Sequence, residues 1–231
     1  MRPARALLAD DHPLFLTALR QLLETQYEVV GAVSDGRALV EAAVRLRPEV
    51  IILDISLPLL NGLDAALQIK KDLPDTKLLF LTMHANPAYL KAALAAGARG
   101  YLLKTSVREE LLNAVGDVVK NRIHVSPGFG DDIVEQFERH PRSFSASESV
   151  LTIRQREILQ LVAEGRTLKE IAMILNISVQ TVAFHKHTIM SKVGLRTTAE
   201  LTKYAIQEGL VAPMGSRNGL SAPCARSSGA K

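Results

Sequence analysis

The chain has 231 residues, of which 47% are hydrophobic and 4% aromatic, and its formal net charge is +4 at pH 7. This length exceeds that of an average domain and indicates at least two folded units. The single cysteine, Cys224, excludes an internal disulfide, and no apolar run is long enough for a signal peptide or a bilayer span. We therefore expect a cytoplasmic protein that does not contact a membrane.

Four short apolar runs in the first half of the chain end in side chains that can take part in chemistry. Uninterrupted apolar runs of this kind are typical of strands buried on both faces, as in a parallel sheet covered by helices. The carboxyl ends of such strands meet at one edge of the sheet, where ligands bind. We therefore expect one site at that edge, formed by Asp10 and Asp11, Asp54, Thr82, and Lys104.

The amphipathic segments between these runs predict helices. A capping box of Ser106 with Glu109 is expected to open the last helix, and Gly97 is expected to end the helix before it. The alternation of strands and helices predicts an α/β, doubly wound, five-stranded parallel sheet. A further strand is predicted at 28–33, and helices are predicted near 13–24, 37–46, 62–72, 87–96 and 106–119.

The predicted site gathers three carboxylates, which repel one another unless a divalent cation lies among them. Mg²⁺ is the natural candidate, because it prefers oxygen ligands and leaves room for a phosphoryl group. Asp54 can then act as a nucleophile and become an aspartyl phosphate. Lys104 would neutralise phosphoryl oxygens, the Thr82 hydroxyl would donate to one of them, and the Ser56 carbonyl would complete the metal shell.

Each of these residues also has an ordinary structural explanation. An Asp-Asp pair before Pro13 is typical of a helix N-terminus. Most lysines are solvated, and Thr82 fits a plain hydroxyl at a strand end. The conjunction of four strand ends in this order favours the functional interpretation.

Residues 123–148 are predicted to form a linker, because they contain Pro127, Gly128, Gly130 and Pro141 and end in a serine-rich cluster. A short helical turn is expected within it at 132–137. The linker carries a charge of −3, whereas residues 149–212 and 213–231 carry +3 each. This carboxyl-terminal excess fits a nucleic-acid-binding module, and solvated surface would give the same count. Residues 213–231 are predicted to be a disordered tail.

Residues 149–212 contain three capping boxes, each of which predicts the start of a short helix with an apolar face. A tight turn is predicted at Asn176 and Ile177, after which Ser178 caps a helix over 179–193. The pattern predicts a small all-α helix-turn-helix domain with a supporting helix on either side. The capping pairs are Thr152 with Gln155, Thr167 with Glu170, and Thr197 with Glu200.

Residues 1–122 resemble the receiver domain of response regulators. Many receivers have a proline directly after the lysine that corresponds to Lys104. This chain has Thr105 there, so we expect a trans peptide bond. The residues that carry the resemblance are Asp10-Asp11, Asp54 followed by Pro58 and Gly62, Thr82, and the run from Ala96 through Tyr101 to Lys104.

The resemblance implies a role for each of these side chains. Asp11 would be the main metal carboxylate with Asp10 as its partner, and Asp54 would be the phosphoacceptor. Lys104 would be the counter-ion of the phosphate. Thr82 and Tyr101 would be the switch pair.

Residues 149–212 resemble the LuxR-type DNA-binding domain, and residues 4–212 together resemble a NarL/FixJ-type response regulator. The residues that carry this second resemblance are Leu151 to Gly165, Lys169 to Ala172, Thr181-Val182, His185, Ile189-Met190, Lys192, and Gly194-Leu195. The resemblance implies a two-component regulator, not an enzyme, that a sensor histidine kinase phosphorylates on Asp54. It implies a homodimer when phosphorylated that binds double-stranded promoter DNA and activates, rather than represses, transcription. RNA polymerase is a further candidate partner.

The resemblance also assigns positions on the recognition helix, which would enter the major groove with its amino-terminal half. Ala183, Phe184 and His187 would face the bases, with Gln180 nearby. None of those three offers the bidentate pairing with guanine or adenine that Arg, Asn or Gln provides, so we expect apolar contact of Phe184 with thymine methyl groups. Alternatively Phe184 packs into the helix core or a dimer contact. The residues expected at phosphates are Lys169, Thr181, Lys186 and Lys192.

His185 is expected to be structural. Phosphorylation is expected to draw Thr82 toward the phosphoryl oxygens and to let Tyr101 turn inward, which changes dimerisation or releases the DNA-binding domain.

Two other classes of protein share part of this pattern. A phosphohydrolase would use the same carboxylates and lysine, and a phosphate-independent dimerisation module would leave them idle.

Overall fold

A computed structural model of the protein describes residues 2–105, 108–140 and 150–211. Its amino-terminal unit is a parallel sheet with strand order β2-β1-β3-β4-β5-β6. The strands are β1 (Arg5–Ala9), β2 (Glu28–Val33), β3 (Val50–Leu53), β4 (Lys77–Thr82), β5 (Gly100–Leu103) and β6 (His124–Val125). The first five helices are α1 (Pro13–Leu23), α2 (Gly36–Leu46), α3 (Gly62–Asp72), α4 (Pro87–Ala95) and α5 (Arg108–Val119).

The sheet is covered on both faces because its central strands are apolar at every position. Successive side chains of a strand point to opposite faces, so neighbouring residues such as Ile51 and Ile52 belong to different cores. One core packs against α2, α3 and α4, and the other packs against α1 and α5. This confirms the predicted doubly wound α/β architecture, and it brings the carboxyl ends of β1, β3, β4 and β5 to one edge.

The sheet has six strands where the sequence predicts five, and the extra strand lies in the segment predicted as a linker. β6 pairs in parallel with β5, and it is followed by α6 (Asp131–Arg139). Ile133 and Phe137 of α6 are buried in the core beside α4. A strand of two residues has no periodic signal, and its position is determined by the open edge of β5. Residues 124–139 therefore belong structurally to the amino-terminal unit.

The carboxyl-terminal unit is a bundle of four helices: α7 (Ile153–Ala163), α8 (Leu168–Leu175), α9 (Val179–Val193) and α10 (Thr198–Gln207). All three predicted capping boxes form, and Ser178 caps α9 through the backbone amide of Thr181. Asn176 ends α8 in the left-handed conformation, which gives the tight turn before α9. The bundle confirms the predicted helix-turn-helix domain.

Some sequence predictions lie outside the described residues. These are Ser106 of the capping box with Glu109, residues 141–148 of the predicted linker, and the tail at 213–231. Within the described ranges no helix is both long and apolar enough to cross a membrane. No cis peptide bond occurs in those ranges either, so the bond between Lys104 and Thr105 is trans, as predicted.

Candidate functional site

A buried cluster of acidic residues and one lysine lies at the carboxyl edge of the sheet. The Nζ of Lys104 lies 2.6 Å from Oδ2 of Asp10 and 2.8 Å from Oδ2 of Asp54. Asp10 and Asp54 are only 2% and 4% exposed. The other oxygen of Asp54 accepts the amide of Ile55 at 2.6 Å. Three predicted site residues from β1, β3 and β5 are therefore in direct contact.

Burial and neighbouring charge change how this cluster ionises. Burial raises the pKa of Asp11, and the carboxylates of Asp10 and Asp54 raise it further, against the opposing effects of His12 and Lys104. Burial by itself lowers the pKa of Lys104, but the charges and hydrogen bonds of Asp54 and Asp10 outweigh it, and the net direction is upward. Lys104 therefore stays charged, while the ionised form of Asp11 is disfavoured unless a cation is bound.

The residues fit a divalent cation. Asp10, Asp11 and His12 offer ligand atoms that all lie within 4.8 Å of one another. Oδ1 of Asp11 lies 2.9 Å from Nδ1 of His12, yet it makes no hydrogen bond. A buried carboxylate oxygen without a donor is the kind of ligand that Mg²⁺ satisfies. The sequence prediction missed His12, although it directly follows the Asp-Asp pair.

A second group of side chains borders Asp54 on the side of β4. Thr82 is fully buried, and its hydroxyl accepts the amide of His84 at 3.3 Å. The ring of His84 is 2.8 Å from the hydroxyl of Ser56. The sequence prediction missed this pair, because Ser56 was singled out for its carbonyl and no local pattern indicates His84.

Tyr101 is already inside the fold. Its side chain is fully buried, and its hydroxyl donates to the carbonyl of His84 at 2.6 Å. Burial raises the pKa of Tyr101, so the hydroxyl stays protonated and keeps this bond. The ring also stacks on Phe129 with 5.7 Å between centroids. The side chain of Tyr101 is therefore already turned inward in this conformation.

The outward face of α9 is accessible. Val182 and Ile189 are buried against the other helices, whereas Phe184 is 68% exposed and Ala183 and His187 are also exposed. Phe184 does not pack into the helix core, which removes one of the two alternatives for it. The structure thus leaves all three predicted base-facing positions open to solvent.

The predicted phosphate-contacting residues border this face, and some of them already have partners. Lys186 donates to the hydroxyl of Thr198, and Lys192 donates to Gln155. Gln180 and Lys169 are exposed, and Thr181 is hydrogen-bonded to the cap Ser178. His185 is half-buried, and its Nδ1 is buried without a hydrogen bond.

The two units that carry the acidic pocket and the helix-turn-helix face each match a known protein family. A model of the response regulator receiver domain matches residues 6–116, and a model of bacterial regulatory proteins of the luxR family matches residues 149–205. The chain belongs to the NarL/FixJ-type two-component response regulators with a LuxR-type DNA-binding domain. It is a regulator and not an enzyme.

Curated relatives share this organisation over nearly their whole length. The transcriptional regulatory protein MctR of Rhizobium johnstonii is 34% identical over 214 residues, which cover 91% of this chain and 97% of MctR. The oxygen regulatory protein NreC of Staphylococcus haemolyticus is 36% identical, with 90% and 99% covered.

Solved structures of a related response regulator are also similar. RcsB of Salmonella typhimurium has 30% sequence identity and a TM-score of 0.58, and the match covers 90% of this chain and 98% of RcsB. RcsB of Salmonella enterica serovar Typhimurium has also been solved bound to a promoter in the presence of the phosphomimetic BeF₃⁻. That match has a TM-score of 0.55 at 29% identity, covering 89% of this chain and all of RcsB.

Proposed function

We propose that a sensor histidine kinase phosphorylates this regulator on Asp54 and that phosphorylation strengthens its binding to promoter DNA as a homodimer. The observation that carries the proposal is the position of Lys104, whose Nζ contacts both Asp10 and Asp54 in a buried pocket. A structural ion pair needs one carboxylate, whereas a phosphoryl-accepting site needs spare acidic groups and a fixed cation. We also propose that the protein lies in the cytoplasm, where such a kinase would phosphorylate it.

In this mechanism Asp54 supplies the nucleophile. Oδ of Asp54 attacks phosphorus as the bond from phosphorus to the donor's imidazole nitrogen breaks. The ammonium of Lys104 balances charge on the phosphoryl oxygens, and the Thr82 hydroxyl donates to one of them. Mg²⁺, held by Asp10, Asp11, Asp54 and the carbonyl of Ser56, would supply the remaining positive charge when bound.

The DNA-binding half of the proposal concerns α9. Ala183, Phe184 and His187 would face the bases, with Gln180 beside them. Their exposure supports the assignment, and so does the promoter complex of the related RcsB. We propose Lys169, Thr181, Lys186 and Lys192 as the phosphate contacts.

The proposal divides the chain into a receiver at 1–122, a connecting segment at 123–148 whose residues 124–139 pack as part of the receiver, a DNA-binding domain at 149–212 and a tail at 213–231. Activation, rather than repression, is proposed on the family resemblance alone, and RNA polymerase is the partner that activation would require. Thr82 and Tyr101 are proposed as the switch pair.

The test compares wild type with Asp54→Asn, with Asp75→Asn as the control at an exposed carboxylate. Acetyl phosphate and Mg²⁺ should add one phosphoryl group to wild type and to Asp75→Asn, measured by intact mass. Asp54→Asn should stay unmodified, and its genomic DNA occupancy under phosphorylating conditions should fall to background. Modification of Asp54→Asn at the wild-type rate would refute the assignment.

The same experiment separates the two rival classes. A phosphohydrolase would release phosphate from small esters over many turnovers, instead of retaining one group per chain. A phosphate-independent dimerisation module would bind DNA equally well with and without acetyl phosphate and Mg²⁺.

A further inference from the structure

α7 of the DNA-binding domain packs directly against the loop that follows Asp54. This loop, residues 54–61 between β3 and α3, is here named the acceptor loop. Gln160 of α7 is only 1% exposed and uses both ends of its carboxamide. Its Oε1 accepts the amide of Asn61 at 2.7 Å, and its Nε2 donates to the carbonyl of Leu57 at 2.9 Å. A carboxamide offers a donor and an acceptor side by side, so Gln160 links Leu57 to Asn61 across the second half of the loop.

Two ion pairs between the domains flank Gln160. Nε of Arg156 donates to both carboxylate oxygens of Asp64, at 2.9 and 3.1 Å. Glu157 pairs with Arg37 of α2. Asp64 and Glu157 are 2% and 4% exposed. Loss of Arg156 would leave the buried Asp64 with Asn61 as a hydrogen-bond partner but without this ion pair, whereas Glu157 also pairs with Arg154 of its own helix. The two ion pairs thus determine where α7 sits on the receiver.

The acceptor loop adopts a conformation that leucine ordinarily avoids. Leu59 has φ of +64°, in the left-handed region where a Cβ atom crowds the backbone. Its amide donates to Glu164 at 3.1 Å, and its side chain packs against the core of the carboxyl-terminal domain. Contacts from the DNA-binding domain therefore help to hold the loop in this unfavourable conformation.

The loop is also tightly connected to the phosphoacceptor. The amide of Gly62 donates to the carbonyl of Ile55 at 2.8 Å, which folds the loop back on Asp54. A Cβ atom at Gly62 would lie 2.0 Å from the Asp54 carbonyl oxygen, so the two backbones are in close contact. The amide of Ile55, which binds the Asp54 carboxylate, lies between Asp54 and Leu57 in the chain. A restraint on Leu57 and Asn61 therefore restrains the backbone around the reacting group.

We propose that Gln160 restrains the acceptor loop and that the docked DNA-binding domain thereby slows phosphoryl transfer to Asp54. The proposal rests on Asp54 being the phosphoacceptor. In the resting protein the amide of Ile55 binds one oxygen of Asp54 and Lys104 binds the other, so a phosphoryl group on Asp54 displaces one of these donors, and displacing the Ile55 amide moves the backbone at 55–57. Gln160 opposes that movement. By linkage, the phosphorylated state holds α7 more weakly than the resting state does.

The docked arrangement leaves the base-facing side of α9 open, because Ala183, Phe184 and His187 remain exposed. Docking therefore does not act by covering that face. Docking instead affects the acceptor loop. The DNA-binding domain therefore influences phosphorylation of the receiver, and phosphorylation of the receiver in turn influences the DNA-binding domain.

The experiment measures the rate of Asp54 phosphorylation in the full-length chain with acetyl phosphate and Mg²⁺. The variants are Gln160→Ala and Arg156→Ala, and the control is Gln207→Ala, an exposed glutamine of the same domain. We expect both interface variants to be phosphorylated at least about fivefold faster than wild type, the lower end of typical couplings between sites. The control should match wild type. Should Gln160→Ala fail to fold, Arg156→Ala alone decides.

Hydrogen exchange gives a readout that a general loss of stability would not reproduce. The amides of Leu59 and Asn61 donate to side chains of α7 and its C-cap, so their exchange reports docking directly. Both amides should exchange faster in Gln160→Ala, and in wild type with BeF₃⁻ and Mg²⁺, while amides of the β3 core stay protected.

The outcomes separate this inference from the proposed function. Absence of phosphate on wild-type Asp54 would overturn the proposed function and the inference with it. Normal phosphorylation of wild type, with interface variants within about twofold of the Gln207→Ala rate, would overturn the inference alone. Unchanged exchange at Leu59 and Asn61 upon BeF₃⁻ binding would also overturn it.

Discussion

Asp11 is a residue of the acidic pocket whose ionised form the fold disfavours. Burial and the nearby carboxylates raise its pKa, so stability falls as pH rises through the range between the unfolded and folded pKa values. At neutral pH the charge on Asp11 therefore destabilises the metal-free protein. A bound cation reverses this effect, because it favours the ionised carboxylate.

Asp11→Asn should consequently stabilise the metal-free protein and make its stability independent of Mg²⁺. We expect a rise in the melting temperature of about 2–4 °C without metal, the shift that roughly 1 kcal/mol produces in a chain of this size. Wild type should gain stability on addition of Mg²⁺, whereas the variant should not. Glu41→Gln, at an exposed site on α2, is the control for loss of one charge. A Mg²⁺-dependent shift in Asp11→Asn equal to that of wild type would contradict the metal assignment.

Phe184 and Lys186 are expected to affect DNA binding in different ways, because one is proposed to face bases and the other phosphates. Phe184→Ala should change sequence preference and leave the salt dependence unchanged, since it removes no charge. Lys186→Ala should weaken binding to all sequences and lower the salt slope by about one. Binding titrations over a range of salt concentrations on a specific and a scrambled duplex measure both effects.

Lys203→Ala provides the charge control, because this lysine is an exposed residue of α10 outside the proposed contacts. The bond from Lys186 to Thr198 adds one consideration. Lys186 would have to exchange that exposed hydroxyl for a phosphate, which costs little in water. An unchanged salt slope in Lys186→Ala would remove it from the phosphate contacts.

At the scale of elements, local chemistry predicted the helix starts well. The capping boxes at Thr152, Thr167 and Thr197 are local patterns of four residues, and each forms as expected. The buried strands were also predictable, because an apolar run such as that of β3 has few other stable environments. The acidic pocket followed from the position of polar residues at the ends of those strands.

Elements that depend on distant partners were not predictable in the same way. β6 has two residues and exists because β5 offers an unpaired edge, and Leu59 is left-handed in contact with another domain. Gln160 and Asp64 read as ordinary helix residues in the sequence, and their significance comes from contacts about 100 and 92 positions away along the chain. Contacts of this kind leave no periodic signal.

At the scale of the whole molecule, the exposed face of α9 limits how phosphorylation can act on DNA binding. Release of a covered recognition helix would raise the affinity for any duplex, including one with a single half-site. Dimerisation instead gains affinity only where two half-sites are available, because the second contact becomes intramolecular. The base-facing residues are already open in the docked arrangement, which favours dimerisation.

We therefore expect BeF₃⁻ with Mg²⁺ to raise affinity for a duplex with two half-sites by at least about tenfold, a conservative value for linked binding. Affinity for a single half-site should change by less than about twofold. The two duplexes should have equal length and charge, so that nonspecific binding is the same, and Asp54→Asn serves as the unresponsive protein. Equal gains on both duplexes would argue instead that docking hinders each half-site contact, because relief of such hindrance improves each contact independently of a second subunit.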